Sequence, residues 1–336
     1  MIVTILLISI LFFNYYLLCQ NHIKYQNKVF YLLLFVFLSI VLRSLIPTEI
    51  NKDYVGYFEL YNFENPENLV SFLISEPYLY LMYNFFELFT SNKRINIECI
   101  YWFNLLISLY FYIWLAFRKD IELWKKVVIF VFYYFLTSYV VLRNAPVYFI
   151  YSYFFYYGFR SLKYNKIIFT PLMHISSVPL LLLIFYKSKR YYKYLFSALV
   201  IVIPILITIV LPIIESVEEI RSSLDKADAY AEGMTEVGVF HKIYFCFISG
   251  IFIVSWINYK KKVLHPLIIT TFLIYYISFF INPVIGFRFS PYVIFAILLN
   301  NFKGIYNFPA ITKALNLIII LLLPYFIFTF IDTHHL

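Results

Sequence analysis

Arginine at a helix start is the first feature of this chain that suggests binding chemistry. The segment Arg143-Asn144-Ala145-Pro146 separates two apolar stretches with almost no loop around it. Proline suits the first turn of the helix that follows, and the free amides and dipole of a helix N-terminus favour an anion. We therefore predict that Arg143 binds a phosphate or carboxylate group. The alternative is an arginine that extends to lipid headgroups.

A histidine lies in the segment Met173-His174-Ile175-Ser176-Ser177, inside an apolar stretch that prolines interrupt. Histidine takes up or donates a proton near neutral pH, so His174 is a candidate general base. The alternative is a structural histidine. Ser176 and Ser177 are expected to cap the helix that follows them.

Two carboxylates and a second arginine complete the set of candidates. Asp53 lies in Asp53-Tyr54-Val55-Gly56-Tyr57, and Glu76 directly precedes a proline. Both are either functional carboxylates or solvated loop residues. Arg288 lies in a predicted tight turn from Asn282 to Pro291. It strengthens the case for an anion site, because one phosphate is commonly bound by more than one guanidinium.

The composition indicates which elements must hold these side chains. Of 336 residues, 63% are hydrophobic and only 13% are charged, so too little polar surface exists to cover a soluble globule. We predict an all-α, polytopic membrane protein that forms a single integral membrane domain over residues 1–336. Ten apolar runs are predicted to cross the bilayer, near residues 2–18, 29–46, 97–117, 127–142, 145–159, 195–214, 243–259, 263–281, 289–302 and 314–331.

Two further apolar stretches, 69–89 and 167–185, are broken by prolines and polar residues. Each is predicted to be re-entrant, because broken backbone at membrane depth requires protein or a water-filled cavity around it. The loops on both sides of the second stretch are basic, and a single crossing would place one of them outside the cell.

The distribution of charge supports this topology. With both stretches re-entrant, 18 of the 27 basic residues lie on one side, which the positive-inside rule makes cytoplasmic, together with only Asp120 and Glu122. Both termini are then external. The net charge of +9 is explained by anchoring to anionic lipids, so no nucleic-acid partner is expected. The sequence also contains no Walker A motif.

Taken together, these residues resemble the EpsG family within the Wzy-type bacterial polysaccharide polymerases. The matching pattern comprises the acidic, tyrosine-bearing stretch Asp53 to Tyr57, the Glu76-Pro77 element, a helix opened by Arg143, the element His174 to Ser176, and Arg288 near the C-terminal end. The resemblance extends over nearly the whole chain, although its motifs are short. A GT-C-like fold is expected with it.

The resemblance implies a glycosyltransferase of the bacterial inner membrane with its active site facing the periplasm or cell exterior. It would join polyprenyl-diphosphate-linked oligosaccharide units into O-antigen, capsule or exopolysaccharide, beside a flippase and a chain-length regulator. Arg143 and Arg288 would hold the diphosphate. His174 would remove or orient the acceptor proton, or Asp53 or Glu76 would do so. No Asp-x-Asp pair is evident, so we expect no cofactor and no metal.

Two other classes of protein remain open from the sequence. A flippase or transporter for lipid-linked oligosaccharide also needs many helices and basic groups near the diphosphate, but it predicts charges along a path on both sides of the membrane. Another membrane transferase, such as an acyltransferase or a decorating glycosyltransferase, would also use histidine and arginine.

Overall fold

The computed structural model describes residues 2–51, 54, 56–60, 72, 77–197, 239–260, 264–281 and 283–300. These residues are mostly helical, with no strand among them, which confirms the all-α prediction for this part of the chain. They fall into two compact units. The first unit holds the described residues of 1–65 and 76–150, and the second those of 66–75 and 151–306. The single domain predicted for 1–336 stays a prediction.

The first unit contains five helices and the start of a sixth among its described residues. Short helical turns at Thr48–Ile50 and Gly56–Leu60 follow the second helix, and a π-helical segment, the π turn (Leu136–Val140), follows the fifth. The helices are α1 (Ile2–Cys19), α2 (Tyr25–Leu45), α3 (Pro77–Glu87), α4 (Lys93–Ala116), α5 (Leu123–Phe135) and the start of α6 (Asn144–Gly158).

Apart from Phe72, the described part of the second unit begins with the rest of α6 and continues into two 3-10 helices, Lys166–Leu172 and Ile175–Phe185, which contact each other. Its remaining helices are α7 (Tyr191–Ser197), α8 (Val239–Tyr259), α9 (Pro266–Ile281) and α10 (Pro283–Leu298). Gly286 of α10 packs directly on the backbone of α9, since a Cβ added there would lie 2.7 Å from the Phe279 Cα.

Three helices in the described ranges are long and apolar enough to cross a membrane, over Tyr25–Leu45, Lys93–Ala116 and Leu123–Val140. The surface of α2 agrees with this. Phe30, Leu33 and Phe37 recur at helical spacing and are each 60% exposed or more, which forms an apolar stripe on the outside of the first unit. Such a stripe is unfavourable in water and favourable in lipid, so we conclude that these helices associate with a membrane.

The second proline-broken stretch forms a helical hairpin whose flanking residues lie together. Phe159 before it and Tyr186 after it both contact the ring of His265, at 5.1 and 5.9 Å between centroids. Tyr186 Oη also donates a hydrogen bond to the carbonyl of Gly158. The middle of the stretch lies nearer the N-terminus of α6, where Tyr151 Oη donates a hydrogen bond to the Ser177 carbonyl. Tyr151 precedes Gly158 by seven positions in α6, which corresponds to a distance of about 10 Å along the helix axis.

One predicted boundary differs from the structure. The sequence suggested a tight turn from Asn282 to Pro291, but α9 ends at Ile281 and α10 already begins at Pro283. Proline at the first position of a helix needs no N–H partner, so Pro283 starts α10 instead of extending the loop. Arg288 is therefore a helical residue in the second turn of α10.

Candidate functional site

Arg143 is held between the π turn and the first residue of α6. The chain leaves the π turn at Val141 in an extended conformation and reaches the next helix at Asn144. The Arg143 guanidinium lies over the ring of Tyr57, with its Cζ 5.4 Å from the centroid. This arrangement keeps a half-buried cation beside a helix N-terminus, and both features favour an anion.

Three buried side chains support the irregular backbone before Arg143. Asn51 Nδ2 donates to the carbonyls of Tyr139 and Val140, and Asn104 Nδ2 donates to those of Thr137 and Val141. Ser108 Oγ adds a third donor, again to Thr137. These bonds satisfy carbonyls that a continued α-helix would have used, so the break is stable in an apolar environment. Segments of π-helix occur frequently at functional sites.

His174 caps the second 3-10 helix. Its backbone is extended, its side chain is 5% exposed, and its Nδ1 accepts a hydrogen bond from the Ser176 amide at 3.1 Å. The predicted roles are thus exchanged: the histidine is the cap, and the Ser177 hydroxyl donates back to the His174 carbonyl at 2.9 Å. A neutral imidazole that accepts at Nδ1 carries its proton on Nε2. The geometry therefore favours His174 as a hydrogen-bond donor over a general base.

Arg288 lies between two residues of α10 that contact α8. The ring of Phe287 lies 5.1 Å from that of Tyr244, and Ser290 Oγ donates to Tyr244 Oη at 3.3 Å. One turn later, Tyr292 packs edge-on against Tyr151, the residue that also bonds the Ser177 carbonyl. The segments that carry His174 and Arg288 thus share Tyr151 as a neighbour.

The structure groups only some of the predicted site residues. Arg143 belongs to the first unit, and His174 and Arg288 belong to the second. Asp53 and Glu76 lie outside the described residues. Their proposed roles as acid or base stay predictions.

Arg43 and Glu98, which are not among the site residues predicted from the sequence, meet in the first unit. Arg43 Nη2 of α2 lies 4.0 Å from Glu98 Oε1 of α4, and Thr48 Oγ1 donates to Glu98 Oε2 at 2.6 Å. A signal for both was present in the sequence, since each is an ionisable residue near the end of an apolar segment. Such residues are costly to bury unless they have a function or a partner.

Comparisons with protein-family models, curated proteins and solved structures find no match to this chain. The resemblance in its motifs therefore has no support from these comparisons. Within the ranges described above, no three His, Cys, Asp or Glu side chains cluster in a way that would hold a metal ion. Metal-independent chemistry remains a prediction that activity measurements must decide.

Proposed function

We propose that this protein is a membrane glycosyltransferase that polymerises polyprenyl-diphosphate-linked oligosaccharide units at the outer face of the bacterial inner membrane. The observation that carries the proposal is the position of Arg143, at a helix N-terminus beside a π turn in a unit with helices suited to crossing a membrane. A lipid diphosphate places its charge at the headgroup level, where such an arginine binds it.

The reaction requires stabilisation of the leaving diphosphate. Charge develops on the diphosphate oxygen as its bond to the sugar breaks, and a fixed guanidinium lowers the energy of that state. Arg143 has this role in the proposal, and Arg288 supplies a second cation. His174, with its proton on Nε2, donates a hydrogen bond that orients a substrate oxygen.

The same proposal includes the finer topology, with ten crossings, two re-entrant stretches and a GT-C-like arrangement. The hairpin whose flanks both contact His265 supports a re-entrant second stretch. The segments that flank it contain Arg160, Lys163 and, at the start of the first 3-10 helix, Lys166 on one side and Lys187, Lys189 and Arg190 on the other. Basic loops of this kind stay in the cytoplasm.

The decisive experiment is a deletion strain whose surface polysaccharide is examined by gel. We expect the ladder of chain lengths to collapse to single repeat units. Complementation with Arg143→Ala or His174→Asn should restore at most about a tenth of the polymer, because each removes a contact with the reacting groups. Arg94→Ala is the matched control, since Arg94 is an exposed arginine of the first unit that pairs with Glu49.

Total loss of repeat units from the surface would instead indicate export. One observation initially favours a transporter, namely buried lysines at the opposite end of the first unit from Arg43. However, Lys126 Nζ donates to the Ala116 carbonyl at 2.9 Å and so caps the C-terminus of α4, and Lys28 Nζ lies over the ring of Phe117. Packing accounts for these two cations, so we retain the transferase.

A further inference from the structure

The pair formed by Arg43 and Glu98 is a buried cation behind a half-exposed carboxylate. Arg43 is 2% exposed, and its guanidinium lies over the rings of Tyr101 and Tyr139, at 5.0 and 5.9 Å. Its Nε and Nη2 form no hydrogen bond with any described residue. A buried arginine in this state is expensive, because part of its hydration is lost without replacement.

The carboxylate of Glu98 has one anchored oxygen and one available oxygen. Thr48 holds Oε2 with a short hydrogen bond of 2.6 Å. The distance of 4.0 Å from Oε1 to Arg43 Nη2 allows electrostatic attraction but is too long for a hydrogen bond. Because 39% of the Glu98 side chain is exposed, Oε1 keeps lone pairs that a ligand can reach. Arg94, one helical turn before Glu98 on α4, and Glu49, next to Thr48, bind each other.

The same region of the first unit contains Arg143. Tyr57, over which the Arg143 guanidinium lies, belongs to one buried cluster with Tyr101, over which Arg43 lies. Ile97, the residue before Glu98, and Leu142, the residue before Arg143, belong to this cluster too. A cation suited to a diphosphate and a carboxylate suited to a hydroxyl thus flank a single tyrosine cluster.

We propose that Glu98 is the general base of the transfer reaction, with Arg43 and Thr48 as positioning residues, an inference that rests on the proposed function. Oε1 takes the proton from the acceptor hydroxyl, and the oxygen of this hydroxyl forms a bond to the anomeric carbon of the donor sugar. The bond from this carbon to the diphosphate oxygen breaks, and its electron pair leaves on the diphosphate held by Arg143. The anchored Oε2 and the buried cation limit the rotation of the carboxylate, so Oε1 is oriented before the substrate arrives.

This assignment fills a role that the geometry of His174 leaves open. The imidazole uses its Nδ1 lone pair to cap a helix and is a donor at Nε2. A carboxylate with a free oxygen accepts a proton without breaking a helix cap. A purely structural Arg43–Glu98 pair would also hold α2 against α4, so the test must separate catalysis from stability.

The test uses the purified full-length protein in proteoliposomes, with a polyprenyl-diphosphate-linked repeat unit as substrate and chain length read by gel. We expect Glu98→Gln to lower kcat about 100-fold or more with little change in KM, and to remove the decline in rate at acid pH. Glu98→Asp should restore part of the rate. Thr48→Val should lower kcat about tenfold, because the carboxylate stays but loses its anchor.

The matched control is Glu49→Gln, since the Glu49 side chain is 40% exposed, close to the value for Glu98, and pairs only with the exposed Arg94 among described residues. It should leave the rate and its pH profile unchanged. Thermal unfolding of each variant in detergent separates misfolding from lost catalysis. A Glu98→Gln protein that is folded and keeps kcat within threefold would overturn this inference alone. A wild-type protein that forms no polymer would overturn the proposed function and this inference with it.

Discussion

At the scale of single residues, several polar side chains in the described ranges form hydrogen bonds with backbone groups that helix breaks and helix ends leave unpaired. Asn104 bonds two carbonyls around the π turn, His174 caps a 3-10 helix, and His265 caps α9 by accepting from the Leu267 amide at 3.3 Å. An unsatisfied carbonyl or amide in an apolar interior costs about 1–3 kcal/mol. Capping therefore accounts for several polar residues that resemble catalytic groups in the sequence.

His265 gives a prediction about pH. Burial against Phe159 and Tyr186 lowers the pKa of His265 to about 4, whereas the unfolded chain protonates it near the ordinary value of about 6.5. Between these values the unfolded state binds more protons. The free energy of unfolding should therefore fall as the pH drops from about 6.5 to about 4, by at most about 3 kcal/mol from this residue.

The His265→Asn variant isolates that contribution, because asparagine keeps an acceptor for the Leu267 amide but does not titrate. Thermal unfolding in detergent would be measured for both proteins from pH 4 to pH 8. We expect the two curves to run parallel above about pH 7 and the wild type to lose more stability below it. Parallel curves over the entire range would show that burial does not lower the pKa of His265.

At the scale of elements, close packing decides how α9 and α10 lie together in the second unit. A Cβ at Gly286 would lie within 3.0 Å of the backbone nitrogen, Cα and Cβ of Phe279. Backbone atoms of a helix cannot move aside as a flexible side chain can. The close approach of α10 to α9 thus depends on Gly286, as in other membrane helices that approach through small residues.

We predict that Gly286→Ala destabilises the protein by about 1–3 kcal/mol, the usual range for overpacking. Gly250→Ala in α8 is the matched control, because a Cβ there meets nothing within 4 Å. It should be neutral or slightly stabilising, since alanine favours a helix over glycine. Thermal unfolding in detergent measures both variants. Equal stability of the two would contradict the close contact between α9 and α10.

At the scale of the whole molecule, the topology determines whether the proposed chemistry faces the correct side of the membrane. The loops before and after the broken hairpin are both basic, and their flanking residues contact His265 together. A single crossing by residues 167–185 would separate these loops. The re-entrant interpretation keeps them on one side, which the positive-inside rule makes cytoplasmic.

Accessibility labelling tests this arrangement. In a background with Cys19, Cys99 and Cys246 replaced, cysteines at the exposed residues Leu162 and Ser188 should both react only with reagent from the cytoplasm. A cysteine at Ser91, in the exposed connection between α3 and α4, should react only from outside. Leu162 and Ser188 labelled from opposite faces would refute the hairpin. Position 143 or 174 reachable only from the cytoplasm would refute the proposed mechanism.

The amino-acid sequence alone predicted a helical, membrane-associated protein and most helix positions in the described ranges. These features depend on the residues within each short segment and not on contacts between distant segments. The length of each apolar run predicts a helix suited to a bilayer, and prolines predict breaks such as the one at His174. The basic loops likewise predict a topology without any long-range contact. The start of α10 differs from the prediction, because Pro283 begins a helix where the sequence suggested a tight turn.

Only the tertiary structure decided which polar groups meet. Thr48 and Glu98 are 50 positions apart, and nothing in the local pattern indicates that they bond or that Arg43 lies behind them. The same holds for His174, whose capping role appears only when the direction of its Nδ1 is known. Hydrogen bonds depend on distance and angle in three dimensions, whereas the length of an apolar run can be read directly from the sequence.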